Sequence, residues 1–84
     1  MGGPMVCTKW QEYTGLEKIR LAVARNVRRL RKAKGLSQAE LATDASLHQH
    51  HVSEIENGQH DLRLGTIDKL APALGVRPRD LFEE

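Results

Sequence analysis

What this 84-residue chain lacks narrows its class before any motif is read. No stretch approaches the roughly 20 consecutive apolar residues that a membrane-spanning helix needs, and no basic start leads into an apolar signal core. A cytoplasmic protein that does not engage a membrane is the expectation. Cys7 is the single cysteine, so no intrachain disulfide can staple the fold, and its place near the terminus reads as a bystander thiol rather than a redox switch. His48 and His51 stand three apart and could approach one metal ion with Asp44 or His60. The cysteine or acidic partners that make a zinc signature specific are missing at that spacing. Ser37, Ser46 and Ser53 have no oxyanion loop beside them, and the chain offers neither a strand-to-helix nucleophile elbow nor a phosphate-binding glycine loop. These absences argue against an enzyme, a metal site and a cofactor.

The length permits one domain, small enough that burial in a dimer would usefully supplement its stability. The net charge is only +2, but the charges are unevenly placed. Residues 1–34 hold nine Lys or Arg against Glu12 and Glu17, whereas residues 35–84 hold Arg63, Lys69, Arg77 and Arg79 against nine acidic residues. From Lys18 to Lys34 the basic charges can track phosphates or simply be solvated. In the same stretch Leu16, Ile19, Val23, Val27 and Leu30 recur with the 3-4-4-3 spacing of one buried helical face.

The segment from Gly35 to Gly58, GLSQAELATDASLHQHHVSEIENG, spells two short helices joined by a tight turn. Ser37 with Glu40 three positions later forms the S-x-x-E pattern, in which each side chain satisfies a backbone N–H that the helix start leaves orphaned. That first helix carries Leu41 and Ala42 and runs out at Thr43-Asp44. A second apolar spacing, Leu47, Val52 and Ile55, ends at Gly58. Isolated helices below roughly 12 residues are marginal in water, so the pair needs a surrounding bundle. Downstream, Asp61 is a plausible local cap before a helix from about Leu64 to Leu74, stopped by Gly75, with Ile67, Leu70, Ala71 and Leu74 at helical spacing. Pro72 falls inside that helix, which predicts a kink or an early irregular turn. A last short helix starting at Pro78 offers Leu81 and Phe82, either to close the core or to meet a second subunit.

Read together, N-V-R-R-L-R-K-A-K-G-L-S-Q-A-E-L-A, then V-S-E-I-E-N-G, then T-I-D-K-L-A-P-A-L-G-V resemble the helix-turn-helix family of phage repressors, Cro and the bacterial XRE-type regulators. The resemblance covers roughly residues 16–82. It implies an all-α, compact five-helix domain of the lambda-repressor type over residues 16–84, preceded by a partly ordered arm over residues 1–15, where Trp10 and Tyr13 could dock on the bundle or on a second subunit. It also implies a partly buried structural ion pair between Arg31 and Glu56.

Family docking geometry places the second helix of the pair in the DNA major groove with its N-terminal residues at the base edges. The expected base-reading residues are Gln49 and His50, with His48 at the edge and Ser53 or Glu54 one turn on. Gln can bond adenine through N6 and N7, His can donate to guanine N7 or O6, and Glu can accept from cytosine N4. Gln38 matches the family's phosphate contact at the start of the preceding helix, and Arg28 on the first helix is a further phosphate candidate. Asn57, Gln59, His60 and Arg63 form a second phosphate-touching set.

Two positions depart from the pattern. Ser46 stands where the family usually has glycine, so it either adopts a positive φ at a cost on the order of 1 kcal/mol or reshapes the turn. His48 stands where Ser or Thr usually caps the recognition helix. The expected function is a homodimeric, sequence-specific transcriptional regulator, a repressor on an inverted-repeat operator in double-stranded DNA, without a small-molecule effector. An antitoxin or a restriction-modification controller fits the same signature. A protein-interaction module on this scaffold is the rival from another class, kept open by the modest net charge and acidic second half. Leu81 and Phe82 are the expected dimer anchors.

Overall fold

A computed structural model of the chain describes residues 15–59 and 63–83, with the side chains of residues 15 and 16 outside that description. The expected arm over residues 1–15, with Trp10 and Tyr13, therefore lies outside the described residues except for Gly15. Asp61 and His60 lie outside them as well. The described residues form four α-helices, α1 (Gly15–Ala33), α2 (Gln38–Ala45), α3 (Gln49–Glu56) and α4 (Leu64–Leu74), followed by a single 3-10 turn over Pro78–Leu81. The fold is all-α. The fifth element is thus a 3-10 turn rather than an α-helix: Pro78 starts it, and Asp80 accepts from the Arg77 backbone N–H at 3.0 Å, closing it after four residues.

Local chemistry explains most boundaries. Glu17 in the first turn of α1 and Arg31 and Lys32 in its last turn complement the helix dipole. Ser37 Oγ accepts from the Glu40 N–H at 3.0 Å while the Glu40 carboxylate accepts from the Ser37 N–H at 2.8 Å, a complete reciprocal cap for α2. That helix runs to Ala45, past the Thr43-Asp44 stop read from polarity, because Ala45 is buried against the core while Thr43 folds its hydroxyl back to the Ala39 carbonyl at 3.1 Å. Pro72 does not end α4. It lies on the exposed side near the C-terminus, and the N–H groups of Gly75 and Val76 reach back to the carbonyls of Pro72 and Ala71, both at 3.0 Å.

One core joins all five elements. Val23 and Val27 of α1, Leu41 of α2, Val52 and Ile55 of α3, Leu70 of α4 and Leu81 of the final turn are each no more than 2% exposed. The stripe on α1 begins later than its spacing predicts. Ile19 is 45% exposed and Leu21 37%, so among the described residues the buried face starts at Ala22 and Val23. Periodicity marks which side of a helix is apolar, but only the neighbouring elements decide how far along it burial extends. Leu81 is a second correction: it is fully buried in the monomer and cannot anchor a subunit contact, whereas Phe82 keeps 39% of its surface exposed. Asn26, itself buried, holds this end in place by donating from Nδ2 to the carbonyls of Leu81 at 2.9 Å and Glu83 at 2.6 Å.

Candidate nucleic-acid interface

The turn between α2 and α3 hinges on Ser46, which adopts φ 58° and ψ 43°, the left-handed conformation usually given to glycine. It is the one non-glycine residue with positive φ among the described residues. The conformation lets the Leu47 N–H reach the Ala42 carbonyl at 2.8 Å and closes α2 tightly enough for α3 to start three residues later. His48 occupies the N-cap of α3 in an extended conformation and makes no side-chain cap bond.

From that turn α3 divides into two faces. Val52, Ile55 and Glu56 are buried, while His48, Gln49 and His50 are exposed and Ser53 and Glu54 half-buried. The residues expected to read bases therefore share the outer face, since 49 with 53 and 50 with 54 lie one turn apart. Along it, His50 Nε2 lies 3.2 Å from Glu54 Oε2.

Behind α3 a charged clamp sets its angle. Arg31 Nε donates to Glu56 Oε2 at 2.6 Å, Nη2 donates to Glu56 Oε1 at 3.0 Å, and Nη1 donates to the Leu36 carbonyl at 2.8 Å. Only 11% of the Arg31 side chain and 3% of the Glu56 side chain remain exposed. The Glu56 hydrogen bond, reinforced by its charge, raises the Arg31 pKa against the opposing loss of water. This bidentate geometry ties the end of α1, the loop before α2 and the end of α3 into one unit. Gln38 joins it by donating from Nε2 to Glu56 Oε1 at 3.1 Å. One of its amide hydrogens is thus engaged inward rather than held out for a phosphate.

The remaining expected phosphate residues are dispersed. Arg28 is exposed on α1 one turn before Arg31, Asn57 caps the end of α3, and Gln59 and Arg63 are exposed on either side of the undescribed residues 60–62, where His60 lies. Arg63 is the N-cap of α4. Between α4 and the turn, an open cleft of about 410 Å³ is lined by Ser46, Leu47, His48, His51, Arg63, Thr66 and Lys69. Thr66 and Lys69 were not singled out by the sequence reading, although 63, 66 and 69 recur every three residues and so fall on one side of α4. No three His, Cys, Asp or Glu side chains converge for a metal ion among the described residues. No helix there is long and apolar enough to cross a membrane.

A turn of this shape between two eight-residue helices, buttressed by an arginine-carboxylate clamp, defines a helix-turn-helix protein. The family profile described as "Helix-turn-helix domain" matches residues 22–84. Control protein C.BamHI of Bacillus amyloliquefaciens is 41% identical over 66 residues, covering 77% of this chain and 82% of that protein. Among solved structures, the restriction-modification controller protein C.AhdI from Aeromonas hydrophila superposes with a TM-score of 0.72 at 43% identity, covering 75% of this chain and 96% of its own. The hypothetical transcription factor NHTF from Neisseria gives a TM-score of 0.76 at 38% identity, with coverages of 79% and 74%. The chain belongs to the XRE/Cro-like helix-turn-helix family of DNA-binding transcription regulators.

Proposed function

We propose that this regulator binds an inverted-repeat operator as a homodimer, represses from it, and serves in the cytoplasm as the controller of a restriction-modification system. The observation that carries the DNA-reading part is the outer face of α3, where His48, Gln49, His50, Ser53 and Glu54 offer only polar groups while the Arg31–Glu56 clamp fixes the helix behind them. Gln49 meets base edges at the N-terminal end, with the His50 and Glu54 side of the face next to it. Arg28, Gln38, Asn57, Gln59, His60 and Arg63 contact backbone phosphate, Gln38 through its second amide hydrogen and the adjacent helix N-terminus.

Two-fold pairing rests on size. One eight-residue recognition helix covers little DNA, and pairing sets two half-sites one helical turn apart, roughly 34 Å. Exposed Phe82, in place of the buried Leu81, is the anchor of that interface. The controller role is favoured by the similarity to the two controller proteins named above, which cover 77% and 75% of this chain.

Selection of bound fragments from random duplex DNA, followed by titration of the winner at several salt concentrations, tests this reading. A palindromic consensus whose affinity falls steeply with salt is expected. Failure to enrich any sequence, with retained binding to a partner protein that salt barely affects, would instead indicate an interaction module. Sedimentation at micromolar concentration should show a dimer, and Phe82→Ser should shift it to monomer.

A further inference from the structure

We infer that His50 and Glu54 do not read separate bases but act as one acceptor-presenting unit, which selects cytosine or adenine at a single position of the half-site and rejects guanine and thymine there. The inference rests on the DNA-reading function proposed for α3. Its starting point is the 3.2 Å approach of His50 Nε2 to Glu54 Oε2 across one helical turn, with 84% of the histidine side chain and 37% of the glutamate side chain exposed.

A carboxylate can only accept hydrogen bonds. In the major groove, cytosine presents the N4 amino donor and adenine the N6 amino donor, whereas guanine presents only the N7 and O6 acceptors and thymine O4 beside its methyl group. A carboxylate brought to a base edge is thus satisfied by cytosine or adenine and repelled by guanine. Histidine alone points the other way, since a ring N–H suits guanine. With Nε2 directed at Glu54, that edge of the ring is engaged within the protein rather than held out for guanine. The pair then presents the carboxylate, which favours an amino-bearing base. A carboxylate carries four lone-pair sites on its two oxygens, so one that accepts from a protein donor can still accept from a base. In this arrangement Glu54 touches the base and His50 is the positioning residue.

The test is selection from random duplex DNA with the full chain and with Glu54→Gln, His50→Ala and His50→Gln. The wild-type consensus is expected to contain one position per half-site restricted to cytosine or adenine on one strand. Glu54→Gln should lower discrimination against guanine at that position by roughly five- to a hundredfold, because an amide can donate as well as accept. His50→Ala should relax the same position and no other, and His50→Gln, which restores a donor toward Glu54, should recover it. Matching circular-dichroism melts check that all variants fold. The inference is overturned if His50→Ala alters a different position and removes a guanine there, which is independent reading, or if a consensus is enriched that neither substitution changes. Enrichment of no sequence by the wild-type chain overturns the DNA-reading function itself.

Discussion

Glu54 and Glu56 lie two positions apart on the same helix, yet one is half-open to solvent and the other is enclosed. Glu56 retains 3% of its side-chain exposure and is gripped by Arg31 and Gln38; Glu54 retains 37% and meets His50 at the surface. The same carboxylate thus serves two ends. Enclosed, it has no water to fall back on, so its partners become obligatory and the pair fixes how α1, α2 and α3 meet. Exposed, it keeps access to water, so its pairing with His50 contributes little to folding and stands where a ligand can reach it.

The largest expected effect follows from breaking the enclosed pair. Arg31→Ala or Glu56→Ala should each lower folding stability by about 3–5 kcal/mol, because the surviving charge stays buried without compensation. Replacing both together, Arg31→Met with Glu56→Leu, should recover much of the loss. Urea denaturation midpoints measure this directly, and a loss below about 1 kcal/mol for both single variants would mean that the clamp is not what orients α3.

On the exposed face the next largest effect is on discrimination rather than folding. Gln49→Ala should reduce preference for the selected site over scrambled duplex by roughly 1–3 kcal/mol. Arg28→Ala should instead weaken both DNAs alike and make the salt dependence shallower by about one unit of slope. Titration of both variants on both duplexes separates the roles. If Gln49→Ala leaves the preference intact, the reading face of α3 has been misplaced.

How much of this was legible in the sequence depends on how local the cause is. The Ser37–Glu40 cap needs only four residues to form, and the Gly75 stop of α4 only its own backbone freedom, so both could be read directly. That Ser46 either adopts a positive φ or reshapes the turn was visible from the family resemblance, and the structure takes the first course. The exposure of Ile19 was not legible, and for Leu81 the pattern left core and subunit contact both open, because each depends on which distant elements pack against α1 and, for Leu81, on the Asn26 bonds across 55 and 57 residues of sequence. The inward turn of Gln38 has the same origin, since its partner stands 18 residues away. The His50–Glu54 contact is different: its i,i+4 spacing is in plain view, but spacing alone does not separate two base contacts from two residues that partner each other.

A smaller effect sits at the joint between the two regions. Ser46 holds φ 58° against a Cβ that disfavours it, so Ser46→Gly should stabilise the fold by about 1 kcal/mol, somewhat offset by the greater freedom of glycine in the unfolded chain. Thermal melting measures the shift. A destabilised variant would show that the serine side chain secures the turn in a way that outweighs the strain, and that the angle between α2 and α3 is not set by backbone conformation alone.

The smallest effect is expected where the opening comparison is sharpest. His50→Ala and Glu54→Gln should each change folding stability by less than about 0.5 kcal/mol, because an exposed i,i+4 pair gains little in water. Set beside the loss from Glu56→Ala in the same denaturant series, this near-zero result separates a glutamate that holds the helix from one that the helix presents. A loss of 2 kcal/mol or more from either outer-face variant would erase the distinction, since His50 and Glu54 would then belong to the scaffold and any change in DNA preference could follow from a shifted α3.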